Sequence, residues 1–190
     1  VINTAKASEE DSVAIVGLGG VGLSALLASI AIGSKKTIAI DLSDEKLALA
    51  KELGANHTLN PKDENFLETF LDITSGGANI AVETAGSGHA LKTAYDITRR
   101  GGTTVAAGMP GPKVEITLSH LSIAAEERVI KGSYMGSCIA QRDIPKYLDM
   151  FQTGRLPVDR LLSRKIKFED LNEAMDRLDD AKTVREVLIP

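Results

Sequence analysis

A glycine-rich segment at residues 17–22 constrains the fold of this chain more than any other feature. It reads Gly-Leu-Gly-Gly-Val-Gly, follows an apolar run at 13–16 and begins a stretch of small and apolar residues that ends at 32. In a G-x-G-x-x-G segment the first glycine permits a tight turn, the second lets a pyrophosphate approach the backbone, and the third lets the helix pack close to the strand. Free N–H groups at the start of that helix favour a phosphate. The segment therefore predicts a strand, a phosphate-binding turn and a helix.

The rest of the chain repeats this order of strand and helix. Short apolar runs suit strands that are buried on both faces, and segments of helical periodicity lie between them. The predicted strands are 13–16, 37–41, 57–59, 80–83, 102–107, an alternating edge strand at 114–118, 129–132 and 184–189. The predicted helices are 20–32, a segment capped by Ser43 and closed by Gly54, 66–71, 90–98, 143–151 and 170–178. This order predicts an α/β fold in one domain over 1–190, a doubly wound parallel sheet with helices on both faces.

An acidic residue ends the second predicted strand, where a dinucleotide site requires one. Asp41 lies 19 residues after Gly22. A carboxylate there accepts hydrogen bonds from both ribose hydroxyls of an adenosine and repels a 2′-phosphate. Because no arginine is near Asp41, the pattern favours NAD over NADP. The competing interpretation is a tight turn followed by an aspartate that caps a helix, and the agreement of loop, strand end and spacing disfavours it.

Composition excludes several classes of partner and site. The chain has 22 basic and 26 acidic side chains and a formal net charge of −4, which excludes a generally cationic surface for nucleic acid or an anionic membrane. One cysteine and three scattered histidines cannot form an internal disulfide or a conventional structural zinc site. The polar, acidic N-terminus is unlike a signal peptide, and no apolar run reaches the length of a membrane span. We therefore expect a soluble, cytoplasmic protein.

Several longer motifs together resemble one known family. The chain contains VAIVGLGGVGLSALL, then IAIDLSDEKLALAKELGA, and further on VETAG, VAAGMP, VIKGSYMGS and KTVREVLIP. In order and spacing these resemble the coenzyme-binding domain of the zinc-dependent alcohol dehydrogenases, in the medium-chain dehydrogenase/reductase superfamily. The likeness covers essentially the whole chain. It implies a Rossmann fold with NAD as the cofactor.

The resemblance also implies roles for individual residues. Lys46 matches a lysine that reaches the adenosine ribose, and Arg185 matches an arginine that pairs with the pyrophosphate. The loop 84–85 matches one that lies against the cofactor, while 107–109 and 133–135 match the two backbone segments at the nicotinamide carboxamide. The predicted cofactor-binding residues are Gly17, Leu18, Gly19, Gly20, Val21, Gly22, Asp41, Lys46, Thr84, Ala85, Ala107, Gly108, Met109, Ser133, Tyr134, Met135 and Arg185.

Simpler roles remain open for some of these residues. Lys46 could be a solvated helix residue, residues 108–111 could form an ordinary turn, and Arg185 could pair on the surface with Asp179 or Asp180. The chain also departs from the family pattern at Ser87, where some members have an arginine that flanks the adenine. Adenine packing is then weaker, or apolar neighbours supply it.

The family's catalytic zinc has no counterpart in this chain. In the family its ligands lie in a separate N-terminal domain, and the match here begins after that region. The chain starts at Val1 and its first methionine is Met109, so we expect it to be cut from a longer polypeptide. Cys138 is expected to be a buried or semi-buried thiol. His57 is expected in strand packing, His89 at a helix start, and His120 at the surface or in an interface. No metal is assigned to these residues.

The resemblance implies a hydride transfer between an alcohol and an aldehyde or ketone. This domain places the nicotinamide, a missing catalytic domain holds the zinc, and the chain alone is expected to be inactive. Tyr134 and Met135 are the residues expected to touch the substrate. The family also implies a homodimer through the edge strand 114–118, since an exposed edge leaves backbone groups unpaired.

Three other classes compete with this interpretation. A zinc-free quinone or enoyl reductase shares the glycine loop but usually binds NADPH, against which Asp41 argues. A non-catalytic NAD-sensing module suits the absence of zinc ligands but not the match at the nicotinamide end. A methyltransferase also uses a glycine loop with an acid after the second strand, yet seldom has this helix start or the VAAGMP turn.

Overall fold

The computed structural model describes residues 1–179 and 183–189. The strands are β1 (Ser12–Val16), β2 (Lys36–Ile40), β3 (His57–Leu59), β4 (Ala78–Glu83), β5 (Thr98–Ala106), β6 (Val129–Gly132), β7 (Arg164–Ile166) and β8 (Glu186–Leu188). The α-helices are α1 (Gly20–Ile32), α2 (Asp44–Leu53), α3 (Phe66–Thr74), α4 (Gly88–Asp96), α5 (His120–Ala125), α6 (Ala140–Gln152) and α7 (Leu171–Asp179). Short 3₁₀ turns lie at Met135–Ser137, Val158–Leu161 and Phe168–Asp170.

The first six strands form one parallel sheet. Their order is β3-β2-β1-β4-β5-β6, and β7 and β8 form a separate two-stranded parallel sheet. The chain therefore builds outward from β1 in one direction, then returns and builds outward from β4 in the other. This order confirms the predicted doubly wound fold, in which a crevice forms at the carboxyl ends of β1 and β4.

Helices cover both faces of the sheet, and β1 shows why. Val13 and Ile15 point into one apolar cluster, together with leucines of α1 and α2, whereas Ala14 and Val16 point into a second cluster. Successive side chains of a strand alternate between faces, so a strand covered on both sides must be apolar throughout. All five residues of β1 are buried.

The local signals for helix ends hold in the structure. The Ser43 hydroxyl accepts the Lys46 N–H at the start of α2, and Gly54 ends that helix in the left-handed region at φ 111°. These are the predicted cap and closing glycine. Helix α1 matches its predicted span of 20–32, and β3 and β6 match 57–59 and 129–132.

The predicted edge strand at 114–118 is wrong. This segment has irregular backbone, and β6 occupies the place beside β5 as the outermost strand. Alternation alone does not make a strand, because a strand also needs a neighbour for its backbone groups. The short helix α5, which follows this segment, was not predicted from the sequence.

The start of β5 differs as well. Thr98, predicted to end a helix, is the first residue of β5, and ladder pairs join Ala78 to Thr98 and Ile80 to Thr103. Residues 99–101 are exposed and bulge out of the ladder at the amino end of the strand. Within the part of the chain that the structure describes, no helix is long and apolar enough to cross a membrane.

Candidate functional site

The turn between β1 and α1 is built by three glycines that meet different constraints. Gly17 has φ +92°, and a Cβ there would lie 2.8 Å from the Ala85 Cβ. A Cβ on Gly22 would lie 1.9 Å from the Gly17 carbonyl oxygen, so no side chain fits. A Cβ on Gly19 would meet nothing within 4 Å. The first and third glycines thus allow close packing, and the second leaves open space beside the helix start.

The Asp41 carboxylate contacts the backbone of this turn. Its Oδ2 accepts the Leu18 N–H at 2.7 Å, and its Oδ1 accepts the Ser43 N–H at 2.9 Å. The cap of α2 is Ser43, so capping does not explain Asp41. The carboxylate instead joins the ends of β1 and β2, which fixes its position before any ligand arrives.

A cleft of about 600 Å³ opens at the carboxyl ends of β1, β2 and β4. Its size and its largely apolar lining with a few polar groups are typical of small-molecule sites. The lining residues are Val16, Gly17, Ile40, Asp41, Leu42, Lys46, Pro61, Lys62, Ala85, Ser87, His89, Ala90 and Thr93. The structure therefore brings together four predicted site residues from three separate segments of the sequence: Gly17, Asp41, Lys46 and Ala85.

Sequence reasoning missed several lining residues of the cleft. Leu42, Pro61 and Ala90 supply apolar surface in the same cleft as Ser87, the position where some family members have an arginine. The Ser87 hydroxyl accepts the Ala90 N–H at 3.1 Å. Lys62 adds a second lysine to the lining. Leu42 and Pro61 closely follow β2 and β3, so the rule that ligands bind beyond the carboxyl ends of parallel strands could have found them.

Thr84 ties the loop after β4 to the glycine turn. Its hydroxyl donates to the Gly17 carbonyl at 2.7 Å, and its backbone N–H donates to the Val16 carbonyl at 2.9 Å. Together with the close approach of Ala85 to Gly17, these contacts fix the loop 84–85 against the turn.

A buried glutamate, Glu83, organises the next pair of loops. Its Oε1 accepts the Gly86 N–H at 2.6 Å, and its backbone carbonyl accepts the Ala107 and Gly108 N–H groups at 2.9 and 3.0 Å. Those two N–H groups are therefore occupied. This refines the prediction for 107–109: the carbonyl groups and the Met109 N–H are what the turn can offer a ligand. A glutamate inside an apolar strand was the sequence signal for this role.

Arg185 lies at the N-terminus of α1. A Cβ built on Gly20 would be 3.4 Å from the Arg185 Nη2 and 3.3 Å from the Val184 carbonyl oxygen. The guanidinium thus adds positive charge where the helix dipole already favours an anion. Of the alternative partners, Asp180 and the Asp179 side chain lie outside what the structure describes.

The remaining predicted residues do not line the cleft, and several of them lie on more open surface. Met109, Tyr134 and Met135 are 75%, 74% and 78% exposed, and Val21 is 59% exposed. Ser133 continues the sheet after β6, since its N–H donates to the Ala106 carbonyl at 2.8 Å. The structure therefore places four of the seventeen predicted residues in the cleft lining and several others on the open surface.

The possible metal ligands are scattered. Among residues 1–179 and 183–189, no three His, Cys, Asp or Glu side chains are grouped so as to hold a metal ion. Cys138 is exposed, so the expected buried or semi-buried thiol is wrong; it lies in a loop beside a 3₁₀ turn rather than in the core. His57 is half-buried on β3, and burial, followed by Lys36 and Lys51, lowers its pKa. His89 and His120 lie at the starts of α4 and α5.

The sheet order and the glycine turn place the chain in the class of doubly wound, nucleotide-binding-type α/β domains. Residues 20–153 match the family model for zinc-binding dehydrogenases, and the chain belongs to that family.

Named relatives agree with this assignment. The geraniol dehydrogenase of Castellaniella defragrans is 34% identical over 189 residues, which are 99% of this chain and 50% of the relative. The alcohol dehydrogenase zinc-binding domain protein of Burkholderia ambifaria has a TM-score of 0.95 at 31% identity, over 100% of this chain and 51% of that one. The benzyl alcohol dehydrogenase of Acinetobacter calcoaceticus has a TM-score of 0.94 at 31% identity, over 98% and 51%. The chain thus spans about half the length of these relatives.

Proposed function

We propose that this chain is the NAD-binding part of an alcohol dehydrogenase and that it positions the nicotinamide for hydride transfer between an alcohol and an aldehyde or ketone. The observation that carries the proposal is the Asp41 carboxylate, hydrogen-bonded to the Leu18 N–H at 2.7 Å and lining the cleft beside the glycine turn. The relatives named as geraniol and benzyl alcohol dehydrogenases support the reaction class.

The turn and helix α1 fit a pyrophosphate. The N–H groups of Gly20, Val21 and Gly22 have no partner within the helix, whose first internal bond runs from the Leu23 N–H to the Gly19 carbonyl. Open space at Gly19 admits phosphate oxygens close to these donors. Arg185 contributes a charge-assisted contact from the other side. Since Asp41 already holds the Leu18 N–H, we assign phosphate binding to the first turn of α1.

The cleft fits the adenosine. Asp41 accepts the ribose hydroxyls with the oxygen lone pairs that its two backbone contacts leave available, and Lys46 lines the same wall. Leu42, Pro61 and Ala90 offer apolar contact to the adenine. The carboxylate favours NAD over NADP, because a 2′-phosphate beside it would be repelled. The nearby Lys46 and Lys62 would offset part of that repulsion.

At the other end, the carbonyl groups of Ala107 and Gly108, the Met109 N–H and the segment 133–135 would hold the carboxamide. The bound nicotinamide supplies the capacity to accept or give up a hydride. The residues of this chain would orient the ring, and Tyr134 and Met135 would contact the substrate. The described residues contain no donor set for zinc, and we place that metal's ligands in the part of the relatives' length that this chain does not span.

We also propose a homodimer, as the resemblance implies, along the β6 side of the sheet rather than through a strand at 114–118. All four residues of β6 are exposed, and it is the outer strand. An exposed edge strand leaves backbone N–H and C=O groups unpaired, and the apolar Val129 and Ile130 are exposed beside them, so a second subunit would shield both. Sedimentation of the complete protein should give twice the monomer mass, and a monomer at high concentration would contradict the dimer.

The proposed function is tested with the complete protein that carries this chain. NADH should bind with a change in nicotinamide fluorescence and should exceed NADPH in affinity. Primary alcohols should reduce NAD⁺, with NADH formation followed by absorbance, and a chelator should abolish turnover while NADH binding persists. Failure of both nicotinamide dinucleotides to bind would refute the proposal. Binding without turnover of any alcohol would favour the sensing module instead.

A further inference from the structure

A turn with unusual backbone follows β6. Met135, Gly136 and Ser137 all have positive φ angles, 49°, 65° and 51°. The left-handed region is unfavourable for residues with a Cβ, such as Met135 and Ser137, and three successive residues in this region are rare. Two backbone bonds hold the turn from within: the Ser137 N–H donates to the Tyr134 carbonyl at 2.9 Å, and the Cys138 N–H donates to the Met135 carbonyl at 3.3 Å. Surrounding contacts must supply the rest of the stabilisation.

Two residues near the start of the chain make those contacts. The Thr4 hydroxyl lies 2.8 Å from the Ser133 hydroxyl and 2.8 Å from the Ser137 hydroxyl, so it bridges the two sides of the turn. A hydroxyl has one proton and two lone pairs, which lets Thr4 donate to one serine and accept from the other. Asn3 Nδ2 lies 3.3 Å from the Gly136 carbonyl oxygen, in the middle of the turn.

Asn3 is in turn held by helix α6. Its Nδ2 is 3.2 Å from Asp143 Oδ2 and 3.1 Å from the Tyr147 hydroxyl, so its two N–H groups are shared among three acceptors. The Asp143 carboxylate also accepts the Ile139 N–H at 2.9 Å, which joins it to the end of the same loop. Asn3 therefore sits between the rigid start of α6 and the turn.

We propose that Asn3 and Thr4 are positioning residues, which hold the left-handed turn Met135–Ser137 and thereby set the segment 133–135 for the nicotinamide. The inference rests on the proposed function, because it takes 133–135 to be a nicotinamide contact. Neither residue lines the adenosine cleft. Their removal should therefore affect the nicotinamide end of the cofactor and leave the adenosine end unchanged.

The test compares NADH with ADP-ribose, which has the adenosine and both phosphates but no nicotinamide. Dissociation constants are measured by calorimetry in the complete protein for the wild type, Thr4→Val, Thr4→Ser and Asn3→Ala. The exposed Thr69→Val on α3 is the matched control. Thr4→Val and Asn3→Ala should each weaken NADH about fivefold to tenfold, the usual worth of one lost hydrogen bond. ADP-ribose affinity should be unchanged, and Thr4→Ser should bind NADH as the wild type does.

The remaining outcomes separate this inference from the proposed function. Unchanged NADH affinity in both Thr4→Val and Asn3→Ala overturns the positioning role. An equal loss for NADH and ADP-ribose also overturns it, because the damage would then be general. If the wild type binds neither ligand, the proposed cofactor site itself fails and the inference falls with it.

Discussion

The two halves of the main sheet hold their parts of the site by different means. In the half formed by β1, β2 and β3, the key contact joins Leu18 to Asp41, which are 23 residues apart. It connects the turn after the buried strand β1 to the end of β2. In the half formed by β4, β5 and β6, the turn after β6 is held by Thr4, which is 129 residues from Ser133. The outer strand there is exposed along its whole length.

The two halves also differ in how much of their surface is exposed. The cleft lies where the two halves meet, because the glycine turn, Asp41 and the segment after β4 all line it. The second half presents large apolar side chains at Met109, Tyr134 and Met135 to the surface. The half formed by β1, β2 and β3 is therefore self-contained, because Asp41 of the same half holds its glycine turn, whereas the turn after β6 depends on Asn3 and Thr4 at the start of the chain.

The largest effect should come from Gly22→Ala, which attacks the self-contained half. Alanine favours a helix over glycine by about 1 kcal/mol, but the new Cβ would lie 1.9 Å from the Gly17 carbonyl oxygen. We expect a loss of about 3 kcal/mol or more in unfolding free energy, measured by denaturant unfolding. Gly19→Ala is the matched control, because its Cβ meets nothing within 4 Å. It should keep its stability and yet bind NADH and ADP-ribose more weakly. A stable Gly22→Ala variant would contradict the packing argument.

A second large effect should follow from Asp41→Asn, which keeps the shape and removes the charge. Hydrogen bonds to a charged group contribute about 1.5–3 kcal/mol, so NADH affinity should fall roughly tenfold to a hundredfold. NADPH should lose much less, because its 2′-phosphate is no longer repelled. Calorimetric titrations with both cofactors measure this, with the exposed Asp72→Asn as the control. The idea fails if the wild type already binds NADPH as tightly as NADH.

A smaller effect is expected at Asp143, in the half that depends on distant contacts. Hydrogen bonds from the Arg142 guanidinium and then the Ile139 N–H hold its pKa well below the ordinary 3.8. The stability that the charged form contributes is complete above pH 3.8 and is lost as the pH falls through the lowered value. Asp143→Asn should therefore unfold at a lower temperature than the wild type at neutral pH.

The pH dependence sharpens this third prediction. The difference in Tm between Asp143→Asn and the wild type should shrink as the pH is lowered below 3.8, the ordinary carboxyl value. Asp149→Asn, exposed on the same helix α6, should follow the wild type throughout. A difference that stays constant with pH would show that the carboxylate charge at position 143 contributes nothing.

The smallest effect should come from His57, on β3 in the self-contained half. Burial, followed by Lys36 and Lys51, lowers its pKa from 6.5, so the folded state favours the neutral ring. The associated stability is complete above pH 6.5 and is lost as the pH falls through the lowered value. Unfolding measured from pH 8 to pH 5 should show a shallower decline for His57→Gln than for the wild type. The exposed His120→Gln should decline as the wild type does, and equal slopes for all three proteins would refute the prediction.

The same contrast between halves explains what could be predicted from the sequence. Some sequence signals are local, because each depends on residues near it in the chain. The structure places these features as expected: the glycine spacing, Asp41 after β2, the Ser43 cap and the closing Gly54. The adenosine wall was only partly foreseen, because Leu42, Pro61 and Ala90 meet only when three strands end at one edge.

The other half was less predictable for a physical reason. The alternation at 114–118 resembles a strand, but whether a segment joins a sheet depends on which neighbour it finds, and β6 takes that place. The role of Glu83 depends on loops after two different strands. Asn3 and Thr4 carry no motif, and only the folded chain shows that they reach the turn after β6.

The bulge at residues 99–101 has a practical consequence. The six strands of the main sheet are parallel and the cleft lies at their carboxyl ends, so the amino end of β5 lies on the opposite side of the molecule from the cleft. Arg99 and Arg100 are exposed, and a side chain built on Gly101 would meet nothing within 4 Å. Once the exposed Cys138 has been replaced by serine, a cysteine introduced at Arg100 gives a single point for coupling a dye or a surface tether. Anchored there, the molecule would keep its cleft toward the solution, open to any small molecule offered to the immobilised protein.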